Sequence, residues 1–268
     1  MDWSPYLAPL MRHPCFAAQG SRLPRFQYAN ALDADLHAFG LRYDLRRIAG
    51  TGDTFERVAS MMDWVHHVLT RYGEQQTISP LTPEQIIETC TATGCALYCV
   101  HKAIVLTEAL LALGIPARRL TCLPYTFDGD CHVVTLVWLP ESHCWALFDP
   151  TFNTWFTGTN GAPLSPVDIR RHYRSGEPPA FRSITLPNTA GLFLNGVECA
   201  TYDEWYTAYM AKNCFRFHCP LFSMYGQAFR EEDCVFLDPV GFADRNPYDS
   251  VARVAYRTDN AKAFLEAP

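Results

Sequence analysis

Partway along the chain the hydrophobic period changes, and that switch limits the possible folds more than any other feature. From position 54 to 113 apolar residues recur every three or four positions, and from 118 to 148 they recur every second position. The first spacing belongs to amphipathic helices and the second to strands with one face buried. Helices that precede strands, rather than alternating with them, imply an α+β layer structure with an antiparallel sheet.

Phe55, Val58, Met61, Met62, Val65, Val68 and Leu69 mark a helix over 54–72, with Asp53 or Thr54 to cap it and Gly73 to end it. Thr82-Pro83-Glu84 opens a short second helix that reaches about Cys90, with proline at the first helical position. A third helix, 98–113, is expected to bury Ala103, Leu106, Leu110 and Leu113 and to stop at Gly114-Ile115-Pro116. Strands follow at 118–123, 131–139 and 144–148, the last two joined by a turn at 140–143. His132, Val134, Leu136 and Trp138 share one face of their strand.

Further on, 167–173 and 202–213 read as helices, and 215–218 and 234–237 as strands. The first 30 residues, rich in proline and aromatics and without a period, read as an irregular arm. No repeat, low-complexity tract or linker divides the chain, so a single domain over 1–268 is expected.

Basic and acidic residues number 22 and 28, a net charge of −6. Nucleic acid and anionic membranes both select a basic footprint, so neither is expected as a partner. With 49% apolar and 19% charged residues the chain reads as globular. Asp2, Pro5, Pro9, Arg12, His13 and Pro14 interrupt the first twenty residues, so no secretory signal is expected. The most apolar stretch, 103–117, falls short of the ~18 residues of a membrane span. A cytoplasmic location follows as the expectation, and with it reduced thiols for the 11 cysteines, most of them small buried hydrophobes.

Three residues suggest chemistry when taken together. Cys99 stands at the start of the third helix, where unpaired N–H groups and the helix dipole stabilise a thiolate. His132 lies in the second strand and Asp149 closes the third. A thiolate nucleophile needs an imidazole to carry its proton, and the imidazole needs a third group to hold its tautomer. The turn at 140–143 brings the strand ending at Asp149 beside the one that carries His132.

The same stretch resembles the transglutaminase-like superfamily of papain-like cysteine enzymes. Cys99-Val100-His101-Lys102-Ala103, then a Leu-rich helix, then Gly114-Ile115-Pro116-Ala117-Arg118 is similar to its catalytic helix, with the glycine fifteen residues after the nucleophile. His132, Trp145 and Phe148-Asp149-Pro150-Thr151 resemble its second half, and Asp63-Trp64-Val65 and 83–87 extend the likeness to 54–156. Two departures stand out. The superfamily's G-x-C is Leu97-Tyr98-Cys99 here, with the glycine at Gly94, and its H-x-W is His132-Val133-Val134. Cys95, beside Gly94, is the rival nucleophile, but Gly114 would then lie nineteen residues on, so Cys99 is preferred.

The resemblance implies a catalytic core at 54–156, with 157–268 as a C-terminal elaboration of unknown role. It also implies acyl transfer through a thioester with a Cys99, His132, Asp149 triad and no metal or organic cofactor. Water as acceptor makes a peptidase or amidase, an amine makes a transamidase, and hydrolysis is slightly favoured. Peptide, protein or small amide substrates fit either. The alternative is a non-catalytic binding or scaffold module on the same fold.

Other features read as structural. The Cys/His pairs at 90–99, 131–132, 143–144 and 214–219 lack the paired knuckles of a structural zinc site. No glycine-rich phosphate loop, G-x-S-x-G or H-E-x-x-H occurs. Tyr202, Trp205, Tyr206 and Tyr209 are expected to pack, His66-His67 to face solvent, and Arg118-Arg119 to pair with acids.

Overall fold

In the computed structural model, which describes residues 4–20, 22–70, 82–182, 184, 193, 194, 197–226, 233–243 and 254–268, reciprocal caps start the two helices that lead to the site. The helices in chain order are α1 (Ser4–Arg12), α2 (Ala34–Arg42), α3 (Leu45–Ala49), α4 (Thr54–Val68), α5 (Pro83–Thr93), α6 (Cys99–Ala112), α7 (Pro166–Ser175), α8 (Tyr202–Asn213) and α9 (Ala261–Phe264). Asp53 caps α4: its carboxylate accepts from Glu56 N at 2.9 Å, while Glu56 accepts from Asp53 N at 3.2 Å. Thr82 and Gln85 do the same for α5. Positions 71–81, including the expected terminator Gly73, lie outside the described residues.

The strands are β1 (Gln27–Tyr28), β2 (Ala117–Leu123), β3 (His132–Leu139), β4 (Cys144–Asp149), β5 (Thr154–Thr157), β6 (Ala180–Phe181), β7 (Phe193–Leu194), β8 (Val197–Glu198), β9 (Arg216–Pro220), β10 (Phe222–Ser223), β11 (Cys234–Leu237) and β12 (Val254–Thr258). Among the described residues, eight of them form one sheet in the order β12-β11-β9-β2-β3-β4-β5-β6. Every neighbouring pair is antiparallel except β11 with β12. The α+β architecture expected from the period switch is the one observed. Strand β9 pairs directly with β2, Thr121 opposite His218, so the downstream segment continues the same sheet.

Alternation along β3 and β4 divides the core. Val137, Leu139, Ala146 and Phe148 pack with α4, α5 and α6, whereas Val134, Leu136, Trp145 and Leu147 pack with α7 and α8. Helix α6 lies between β2 and β3 on one side and α2, α4 and α5 on the other. It is therefore not one-sided as its period suggests. Ala103, Leu106 and Leu110 are buried as expected, but so are His101, Lys102, Val105, Thr107, Glu108 and Leu111. Full burial of each large aliphatic side chain contributes on the order of 2 kcal/mol of transfer free energy. Leu113, beyond the last helical residue, is only half-buried. Gly114 ends the helix at φ +74, where a β-carbon is strained although the nearest atom would be 3.9 Å away.

Three other expectations need correction. The amino-terminal arm contains a helix, α1, with Pro9 inside it. Pro5 sits in the first turn, where its missing N–H is no loss, and Leu10 is wholly buried, so packing holds a helix that the prolines disguise. His66 is buried while His67 is exposed, because adjacent helical residues point about 100° apart. Among the described residues Arg118 pairs with no acid: its guanidinium lies over the rings of Phe26 and Trp145 at 4.0 and 4.1 Å and donates to the Phe264 carbonyl at 3.1 Å. Among the described residues no helix is long and apolar enough to cross a membrane.

Candidate active site

Cys99 owes its position to a break between two helices. Helix α5 ends at Gly94, which takes the left-handed conformation at φ 62, and the Cys90 thiol donates to the Cys95 carbonyl at 3.3 Å to pin the turn. Tyr98 is then the N-cap of α6 in extended conformation, with no side-chain cap to occupy the first N–H groups. Cys99 is thus the first helical residue, and its N–H lacks an intrahelical acceptor by position. Cys95, the rival nucleophile, lies in the turn before the helix.

His132 is the first residue of β3 and Asp149 the last of β4. Pairing of the two strands runs from Leu139 opposite Cys144 to Thr135 opposite Phe148, which draws Asp149 up beside the start of β3. Val133 lies beyond the last of these pairs, and its N–H donates to Cys99 Sγ at 3.4 Å. The cysteine therefore meets the strand at the residue after the histidine.

His132 Nε2 lies 2.5 Å from Asp149 Oδ2, with both side chains wholly buried. Burial pushes the imidazole pKa down, but the Asp149 carboxylate outweighs it and the Cys99 thiol adds to the rise, to about 10. Among the described residues Nδ1 has no hydrogen-bond partner. The carboxylate is held by three further donors: Thr151 N at 2.9 Å and Phe152 N at 3.4 Å to Oδ1, and Tyr206 Oη at 2.9 Å to Oδ2. Backbone N–H groups in the turn after the strand orient it, so Asp149 is not merely a turn residue.

Helix α8 supplies the other wall, a role the sequence does not disclose. Tyr206 donates to Asp149, and burial, reinforced by that carboxylate, raises its phenol pKa well above normal, so it stays a donor. The rings of Phe152 and Tyr209 flank His132 at centroid distances of 5.5 and 5.2 Å. Lys212 binds Asp128 at 2.7 Å and Asp130 at 3.1 Å, fastening the β2–β3 loop across the helix. The aromatic stripe does pack, as expected, but two of its members pack on the proposed base and its carboxylate. Spacing places Tyr206 and Tyr209 on one helical face, yet nothing local says which strand that face meets.

On the opposite side of Asp149 lie two more residues that sequence reasoning passed over as chemistry. Lys102, one turn after Cys99, is wholly buried. His66 packs by the Pro150 and Thr151 backbone, with its pKa lowered by burial and by Lys102. Among the described residues no group of three or more His, Cys, Asp or Glu side chains converges as a metal site.

Residues 44–150 match the family model of the transglutaminase-like superfamily. All three candidate residues lie within the matched segment, and the match supports cysteine-based catalysis in general terms. No curated protein matches the chain. Among solved structures, a candidate cysteine protease from Cytophaga hutchinsonii aligns at 17% identity and a TM-score of 0.35, covering 59% of this chain and 55% of that one. The chain spans about half the length of that structure, and at this score the likeness carries no functional weight.

Proposed function

We propose that the protein is a cysteine hydrolase or acyltransferase that cleaves a carboxamide or peptide bond through a thioester. One observation carries this reading. A wholly buried imidazole is bonded through Nε2 to a firmly held carboxylate, with Nδ1 unpartnered among the described residues, next to a cysteine at the start of a helix. In the proposed cycle Cys99 reacts as the thiolate, its proton already held on the His132 imidazolium at Nδ1, and Sγ adds to the carbonyl carbon. The oxyanion faces the free Cys99 N–H at the positive end of α6. Collapse expels the amine or ammonia, protonated by His132, and leaves the acyl group on sulfur. Water or an amine then attacks the thioester, the neutral His132 takes its proton, and the Cys99 thiolate beside the imidazolium is regenerated as the acid or the new amide departs. Asp149 keeps the imidazole oriented and balances its charge throughout.

Cys99 is only 7% exposed and both partners are wholly buried, which favours a small amide or a flexible peptide end over a folded protein surface. The test is intact-mass analysis with peptide mapping after brief exposure to chloroacetamide. Cys99 is expected to be modified before the other thiols, and Cys99→Ser to abolish turnover of a peptide-amide panel with an unchanged circular dichroism spectrum. Adding a primary amine separates hydrolysis from transamidation. Labelling of Cys99 no faster than the rest would leave the scaffold reading standing.

A further inference from the structure

Lys102 is a group the proposed cycle does not use. Its side chain is wholly buried, and its ammonium nitrogen has no hydrogen-bond partner among the described residues. Cys99 and Lys102 are three apart on α6, a spacing that puts two side chains on the same helical face. The groups that face it come from each element packed there: Asp149 from the end of β4, Cys90 from α5, Cys99 from its own helix and His66 from α4. An unpaired buried ammonium costs far more than an apolar side chain of similar shape, so its presence calls for a use.

The charges around the site suggest one. Asp149 and His132 form a buried ion pair whose charges cancel. Ionising Cys99 then leaves one uncompensated negative charge in an enclosed space. We propose that Lys102 is a positioning residue whose ammonium balances the Cys99 thiolate, acting through the sulfur's electrostatic environment without touching substrate. The inference rests on the reading of Cys99 as nucleophile. Burial lowers the Lys102 pKa to about 8, with Asp149, Cys90 and Cys99 opposing the fall, so the ammonium form still predominates at neutral pH. His66 adds no competing cation, since burial and Lys102 hold it neutral.

The test compares alkylation of Cys99 by neutral iodoacetamide and anionic iodoacetate, followed on the Cys99 peptide by mass spectrometry and normalised to glutathione at each pH. A nearby cation favours the anionic reagent. The iodoacetate-to-iodoacetamide ratio is expected to fall in the native protein as pH rises through about 8. In Lys102→Met it should be lower by at least about threefold at pH 7 and flat with pH, while Lys102→Arg retains it. Lys102→Met should also melt no lower than the native protein while its Cys99 reacts more slowly, a split that a purely structural lysine would not produce. Equal ratios in the native protein and Lys102→Met overturn the proposal, as does a native ratio constant from pH 7 to 9, which needs no variant to fold. Slow alkylation by both reagents overturns the nucleophile reading and this inference with it; fast alkylation without charge discrimination overturns this inference alone.

Discussion

The two sides of Asp149 hold buried cationic groups that the fold treats in opposite ways. Towards α8, His132 is bonded to the carboxylate at 2.5 Å, and its pKa rises to about 10 although burial works against it. Towards α6, Lys102 lies within the field of the same carboxylate but makes no hydrogen bond among the described residues, and burial brings it down to about 8. Proximity to an opposite charge does not by itself repay desolvation; a direct, well-aligned hydrogen bond does. The α8 side is accordingly the rigid half of the site and the α6 side the half left electrostatically poised.

The largest expected effect removes the sulfur on which both halves act. Cys99→Ala should reduce turnover by at least roughly a thousandfold and leave the melting temperature within a few degrees, measured on any amide substrate that the panel reveals. Next comes the α8 half. His132→Gln leaves Asp149 buried without its cation and should cost about 3 kcal/mol in urea unfolding, along with most of the activity. An unfolding midpoint equal to that of the native protein would show that the buried pair is not ionic. Tyr206→Phe removes one of four donors to the carboxylate, with an expected loss of about 1–2 kcal/mol and a lowered kcat at unchanged circular dichroism.

Stability against pH separates the two sides by sign. His132 is raised above its unfolded value, so its contribution is complete below about 6.5 and is lost as pH rises towards about 10. Lys102 is lowered, so the burden of its buried charge is lifted as pH rises through about 8 towards its unfolded value. The two slopes oppose each other above pH 8. Melting curves of Lys102→Met should therefore fall more steeply than those of the native protein between pH 8 and 10, and those of His132→Gln less steeply between 6.5 and 10. Parallel curves would erase the contrast. The smallest effect belongs to the clamp behind α8: Lys212→Met should cost about 1 kcal/mol or less, because Asp128 and Asp130 keep 40% and 44% exposure and water can replace the ion pairs.

Much of the scaffold was legible because its signals are local. Asp53 with Glu56 and Thr82 with Gln85 are capping pairs three residues apart, and the turn after Leu139 sets the register that carries Asp149 to His132. Helix α1 was hidden because two prolines, Pro5 and Pro9, erase its period, although Leu10 anchors it. The burial of Lys102 and His66 was equally hidden. Pattern reasoning assigns charged residues to the outside, and α6 has no outside once the sheet and three helices surround it.

What the sequence determined alone is the order of the central elements and roughly where each begins and ends: a cysteine at the start of a helix, a histidine within a strand and an aspartate closing the next. These depend on periodicity, capping and turn chemistry, which act over a few residues. Tertiary structure alone decided that Tyr206, 57 residues beyond Asp149, binds that carboxylate, and that Lys102 is sealed beside it. Such pairings arise only when layers distant in the chain are packed together, since the exclusion of water that gives a buried charge its strength belongs to the assembled core and to no single segment of it.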